Sequence, residues 1–216
     1  MNPLHTSLAF VPLAIYIMVI GIVNYSRRPF LTTGARDLYG LGLALCGLAV
    51  IGPLDLFLPE AAVIRFGPYI WLLLILLYSL CLTLLVLVMR PRLVVYNLPS
   101  QRLRLLLEEL LVKQQWEHHW AGDCLSLPAA GIELQLDRCV AMRNTSLVAT
   151  PAQQNHLGWF RLEKELAAAL RTVPVDRNPA GGLMIVTGLL VISASMLWIF
   201  LEQEAVKKGL AELLRF

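Results

Sequence analysis

The chain has 216 residues, of which 57% are hydrophobic and 15% charged, with a formal net charge of +3 and a mean hydropathy of +0.66. A water-soluble surface needs more charge than this, so most of the chain is expected to face lipid. The lysines and arginines gather between apolar stretches, which fits orientation signals and argues against a nucleic-acid footprint.

The first apolar run covers residues 8–25, close to the roughly 20 residues that a helix needs to cross a hydrocarbon layer about 30 Å thick. Its positive charges, Arg27 and Arg28, follow the run, and no small-residue cleavage site ends it, so it reads as a retained anchor rather than a signal peptide. The second run, residues 38–58, carries Gly40, Gly42, Gly47 and Gly52 together with Pro53. It is expected to form a thin, closely packed helix inside the bundle, kinked near the proline. Residues 69–89 are the purest span, interrupted only by Ser79, Cys81 and Thr83. The fourth span, residues 179–202, brings Gly188 and Ser193 as small residues against which another helix can pack.

Arginines set the expected orientation. Arg27, Arg28 and Arg36 lie between the first two spans, Arg90 and Arg92 follow the third, and Arg177 precedes the fourth. Those sides are read as cytoplasmic, where the arginines retain the topology and meet lipid headgroups. Both termini are then external; inversion of this topology is the alternative. The aromatic residues agree, with Trp71 and Trp198 at the outer interface and Tyr25 and Tyr39 at the inner one.

Between the third and fourth spans, residues 93–178 have a different character. Leu93-Val-Val-Tyr-Asn97 reads as a short strand, and Pro99 suits the first turn of a helix. Leu103, Leu106, Leu107, Leu110 and Leu111 then recur at the spacing of one helical face. From Trp116 to Thr150 the pattern turns to alternation, clearest in Ile132-Glu-Leu-Gln-Leu-Asp137, and about three strands are expected there, separated by turns at Gly122-Asp123 and Pro128–Gly131. Asn155 can cap a second helix with the apolar stripe Trp159, Leu162, Leu166, Ala169, Leu170 and Val173, stopped by Pro174. The fold class is thus a multi-pass α-helical membrane protein of about four transmembrane helices, with a small two-layer α+β domain between the third and fourth. Residues 203–216 read as an amphipathic tail.

Candidate chemistry is sparse. Trp116-Glu-His-His-Trp120 with Asp123 and Cys124 has zinc-ligand residue types, but adjacent His118 and His119 point to opposite faces of a strand, and no CxxC or HExxH partner exists. No metal or cofactor is expected. Ser126 lacks a GxSxG elbow, and a constellation of Cys124 or Ser126 with His156 and Asp123 is the sort that any domain of this size offers by chance. Four cysteines (Cys46, Cys81, Cys124 and Cys139) are too dispersed for a disulfide framework and are expected as thiols. Asn144-Thr-Ser146 matches a glycosylation pattern but falls on the expected cytoplasmic side. Asp55 is the one carboxylate inside an expected span; its closeness to Pro59 and Glu60 also suits an interfacial position.

By elimination, the sequence points to a non-enzymatic membrane subunit or scaffold in a bacterial inner membrane. Its cytoplasmic α+β module would dock another protein or a second copy of the chain. The alternatives are a small-solute or ion transporter component using Asp55, and an enzyme with a site on the module.

Overall fold

A computed structural model describes residues 2–54, 69–139, 143–150 and 155–214. Among these, four helices are long and apolar enough to cross a membrane: α1 (Pro3–Tyr25), α2 (Gly34–Ala49, continued to Gly52 within the apolar stretch), α3 (Tyr69–Val88) and, later in the chain, Pro179–Leu201. On α3 nearly every leucine is uncovered; Leu72, Leu76, Leu80 and Leu84 are all exposed. In water such a surface would forfeit about 25 cal/mol for each Å² of apolar area, whereas lipid tails accept it without cost.

The chain divides into two units. The first takes Met1–Ile20, Leu38–Val88 and Leu183–Phe216. Small residues let its helices approach. Gly47 lies so near the Leu8 carbonyl that a side chain there would collide with it. A Cβ on Gly188 would sit 2.8 Å from the Ala14 carbonyl oxygen. The Tyr78 hydroxyl donates to the Gly42 carbonyl at 2.6 Å, a polar link between α2 and α3 that needs no charge. After Ala49 the second helix widens into a π-helical turn, Val50–Leu54. Pro53 supplies the reason, since it has no N–H to donate to the carbonyl four residues back.

The second unit, Gly21–Asp37 and Met89–Gly182, holds the α+β module. Its strands are β1 (Phe30–Thr33), β2 (Arg92–Tyr96), β3 (His119–Ala121), β4 (Cys124–Leu127), β5 (Ile132–Cys139) and β6 (Asn144–Ala149). They form one antiparallel sheet in the order β1-β2-β6-β5-β4-β3. Two of these strands go beyond the sequence reading. A tight hairpin, with Gly122 at φ 64° between Ala121 and Cys124, makes four strands of the stretch read as about three. β1 comes from the connection between the first two spans, where Phe30 to Thr33 pair with Tyr96 to Leu93.

Helices α4 (Ser100–Lys113) and α5 (His156–Leu170) cover one face of this sheet. Alternation along the strands sends Leu93, Val95, Leu125, Leu127, Leu134 and Leu147 to that face, where they bury against Leu103, Leu107, Leu111, Leu162 and Leu166. The Asn155 side chain accepts from the Leu157 N–H at 3.0 Å and so caps α5. The remaining helices are α6 (Pro179–Leu201) and α7 (Gln203–Leu214).

Truncating a buried member of this core, Leu134→Ala, is expected to cost about 2–5 kcal/mol. Leu105→Ala, on the uncovered side of α4, is expected to stay within about 0.5 kcal/mol. Thermal unfolding of the purified protein in detergent checks the pair; equal losses would contradict the assignment of the two faces.

Candidate functional site

Polar groups gather where the module meets the ends of its connecting segments. Asn24, Asn97, Thr145 and Asn178 are all buried. A buried amide must be hydrogen-bonded or it costs a lost bond or more, so these residues identify what they hold together. The Asn97 side chain donates to the Ser26 carbonyl at 2.6 Å, and its backbone N–H donates to the Asn144 side chain at 3.3 Å. Thr145 Oγ1 donates to the Leu98 carbonyl at 3.1 Å. The Val175 N–H donates to the Arg27 carbonyl at 3.0 Å, and the Asn178 N–H reaches the Asn24 carbonyl at 3.4 Å.

Asn178 also caps α6, its side chain accepting from the Ala180 N–H at 3.1 Å, with Pro179 pre-set for the first helical turn. Next to it, Gly181 lets α6 approach the end of α1; a Cβ there would lie 2.7 Å from the Gly21 carbonyl oxygen. The Arg177 guanidinium covers the Tyr25 ring, 4.9 Å from its centroid.

A second junction forms around Asp37 in the first turn of α2. Its carboxylate accepts from the Tyr96 hydroxyl and lies 3.7 Å from the Arg92 guanidinium, whose stem packs against Gly34. A carboxylate at a helix N-terminus also complements the helix dipole. Tyr96 and Arg92 alternate with the core-facing Leu93 and Val95. The start of α2 therefore meets the sheet on the face opposite α4 and α5.

Of the arginines read as orientation signals, Arg27, Arg28 and Arg90 are exposed, Arg36 pairs with Glu163 at 3.7 Å, and Arg92 joins the Asp37 junction. Among the packing residues, Gly42 faces Leu82, Gly40 faces Tyr16, and Gly47 and Gly188 meet α1, while Ser193 sits on an exposed side of α6. Asp55 lies outside the described residues. Asn97, Asn178 and Asp37 were not singled out in the sequence. Their one signal there is position, each being a polar residue within a few places of where an apolar run or strand begins or ends.

The groups weighed for catalysis are spread apart. His118 Nδ1 contacts the Trp116 carbonyl at 3.1 Å. His119 lies on the exposed edge strand, in register with Ser126. Cys124 and Ser126 alternate with the buried Leu125 and Leu127, so they occupy the face away from the helices, whereas His156 begins α5 on the other side. The sheet stands between the nucleophile candidates and His156. Among the described residues, no three His, Cys, Asp or Glu side chains gather as a metal site.

The outer side of the helical layer is different. Leu105 and Val112 on α4 are 60% and 67% exposed, and Leu157 and Phe160 on α5 are 72% and 66% exposed. Between the helices runs an open groove of about 300 Å³ lined by Leu106, Leu110, Lys113, Ala169 and Thr172, with Gln114 donating to Glu165 at 2.8 Å across it. Large apolar side chains left uncovered on a domain surface can mark an interaction site. Comparison of the chain with protein-family models, with curated proteins and with solved structures gave no match.

Asn97 has φ 60°, a conformation that costs most residues roughly 1–2 kcal/mol and glycine almost nothing. Asn97→Gly should lose the Ser26 bond alone, while Asn97→Ala should lose the bond and carry the backbone cost. The alanine variant is therefore expected to melt lower by the equivalent of about 1 kcal/mol. Identical melting points for the two variants in detergent would contradict the strained-backbone account.

Proposed function

We propose that this is a non-enzymatic, multi-pass membrane subunit or scaffold whose α+β module docks another protein. The observation that carries the reading is the uncovered helical layer, in which Leu105, Val112, Leu157 and Phe160 face away from the module's own core. The start of α2 engages the opposite sheet face at its β1–β2 side through Asp37, so the apolar helical layer is the larger uncovered apolar surface of the module. Anchoring by four apolar helices would keep that layer at a membrane surface, so that a partner meets it in two dimensions rather than three.

The module is assigned to the cytoplasm of a bacterial cell, at the inner membrane, with both termini external. This orientation is supported by Arg27, Arg28, Arg36, Arg90, Arg92 and Arg177, all of which border the same ends of the spans. Pairing of Arg36 and Arg92 with acids leaves the asymmetry in place, because orientation follows lysine and arginine number rather than net charge.

Single cysteines placed at Leu157 and Leu210 in an otherwise cysteine-free chain test the orientation. In spheroplasts, a membrane-impermeant maleimide should label position 210 and spare 157 until the membrane is opened; the reverse pattern means an inverted topology.

Tagged purification from native membranes in mild detergent tests the docking reading. A stoichiometric protein partner is expected in the same particle, identified by mass spectrometry. Elution of the chain alone as a homogeneous particle would overturn the reading.

A further inference from the structure

Beyond His156, the exposed residues of α5 are Leu157, Phe160, Arg161, Lys164 and Ala168, joined by Arg171 at its C-cap. At 100° per residue they fall within one narrow sector, opposite the core-facing Trp159, Leu162 and Leu166. This sector holds three cations and no acid. The two acids at its flanks are already engaged, Glu163 by Arg36 at 3.7 Å and Glu165 by Gln114 at 2.8 Å. Among the described residues, none of Arg161, Lys164 and Arg171 has a carboxylate within ion-pair distance.

At the amino-terminal end of the same sector is a cavity of about 270 Å³, with Trp116 as an aromatic wall and Leu157 and Arg161 at its side. Gly158 also lines it. A Cβ at that position would collide with the Ala130 carbonyl, so the close approach of α5 to the Pro128–Ala130 turn depends on glycine. The volume suits one large apolar side chain, and the guanidinium beside it suits a carboxylate on the adjoining residue or turn.

We infer that the partner of this module is a protein segment rich in Asp and Glu, which sets a large apolar side chain into the Trp116–Gly158 cavity and its carboxylates against Arg161, Lys164 and Arg171. The inference rests on the docking reading above and names the chemistry of what docks. The cavity selects an acidic protein over an anionic lipid surface, because it fits one side chain rather than a fluid layer of acyl chains. Apolar anchors inside a ring of like charges give both affinity and selection, the anchors by burial and the cations by steering an oppositely charged partner and repelling basic ones.

The test uses the full-length chain in native membranes. Partner recovery is compared among wild type, the charge-reversed Arg161→Glu/Lys164→Glu variant and the charge-preserving Arg161→Lys/Lys164→Arg variant. In parallel, photoreactive p-benzoylphenylalanine at position 160 marks what touches the face. Both pairs of substitutions are on exposed positions, and unchanged thermal melting verifies that the module stays folded. The expected result is at least tenfold less partner with charge reversal, wild-type recovery with charge preservation, and a cross-linked segment of net negative charge containing Phe, Trp, Leu or Met. Full recovery by the charge-reversed variant overturns the inference and leaves the docking reading standing. So does a cross-link to a neutral or basic segment, to lipid alone, or to a second copy of this chain. Recovery of no partner by the wild type removes both.

Discussion

The module depends on a constraint set at its border: backbone carbonyls at the ends of the long apolar helices must find donors. Here asparagine amides and a few backbone N–H groups supply them, through Asn97 to Ser26, Val175 to Arg27 and Asn178 to Asn24. Neutral amides suit the task better than ions, since they satisfy carbonyls without the desolvation cost that a buried charge carries. One charged pair there, Arg92 with Asp37, is only partly buried and gains from the helix N-terminus beside it. With these contacts in place, the ends of β1, β2 and α6 are fixed together, and the leucine core can form on the far side of the sheet.

Division of labour between the two sheet faces follows directly from strand alternation. One face is mainly apolar, Thr145 being an exception, and is covered by α4 and α5. The other grades from buried at Thr32, Val94 and Tyr96 to exposed and polar at His119, Glu133 and Asp137. The module is thus held at its β1–β2 side and open at its β3–β5 side. Arg104 finishes that open side, lying 4.4 Å from the Trp120 ring centroid and donating to the Gly122 carbonyl, which fastens the short edge hairpin to α4.

Much of this architecture is legible in the amino-acid order because it rests on periodicity. The apolar runs of α1, α3 and α6 are long enough to have no soluble reading. The leucines of α4 and the stripe on α5 have helical spacing, and Ile132 to Asp137 alternates as a half-buried strand should. The parts that escape the sequence are those in which a residue's role is conferred from a distance. Phe30 to Thr33 is four residues between two spans, too short to carry a pattern, and becomes a strand only because Tyr96 to Leu93 lies beside it. Asn97 and Asn178 have no distinctive neighbours and acquire meaning only when their carbonyl partners arrive. The basic face of α5 is spelled out in the sequence at helical spacing, but its uncovered state is a property of packing. Periodicity alone does not separate a solvated stripe from a docking stripe.

The placement of β1 has a consequence for how the protein is made. As the ribosome releases the chain, β1 emerges directly after α1, yet β2, its one neighbour in the sheet among the described residues, does not exist until α3 has been synthesised. The strand must wait, unpaired, through the synthesis of α2 and α3, and its eventual pairing ties an early connection to a strand made much later. A fragment beginning after α3 would therefore emerge with the β2 edge bare, an invitation to strand-to-strand aggregation that the intact chain answers with its own amino-terminal half.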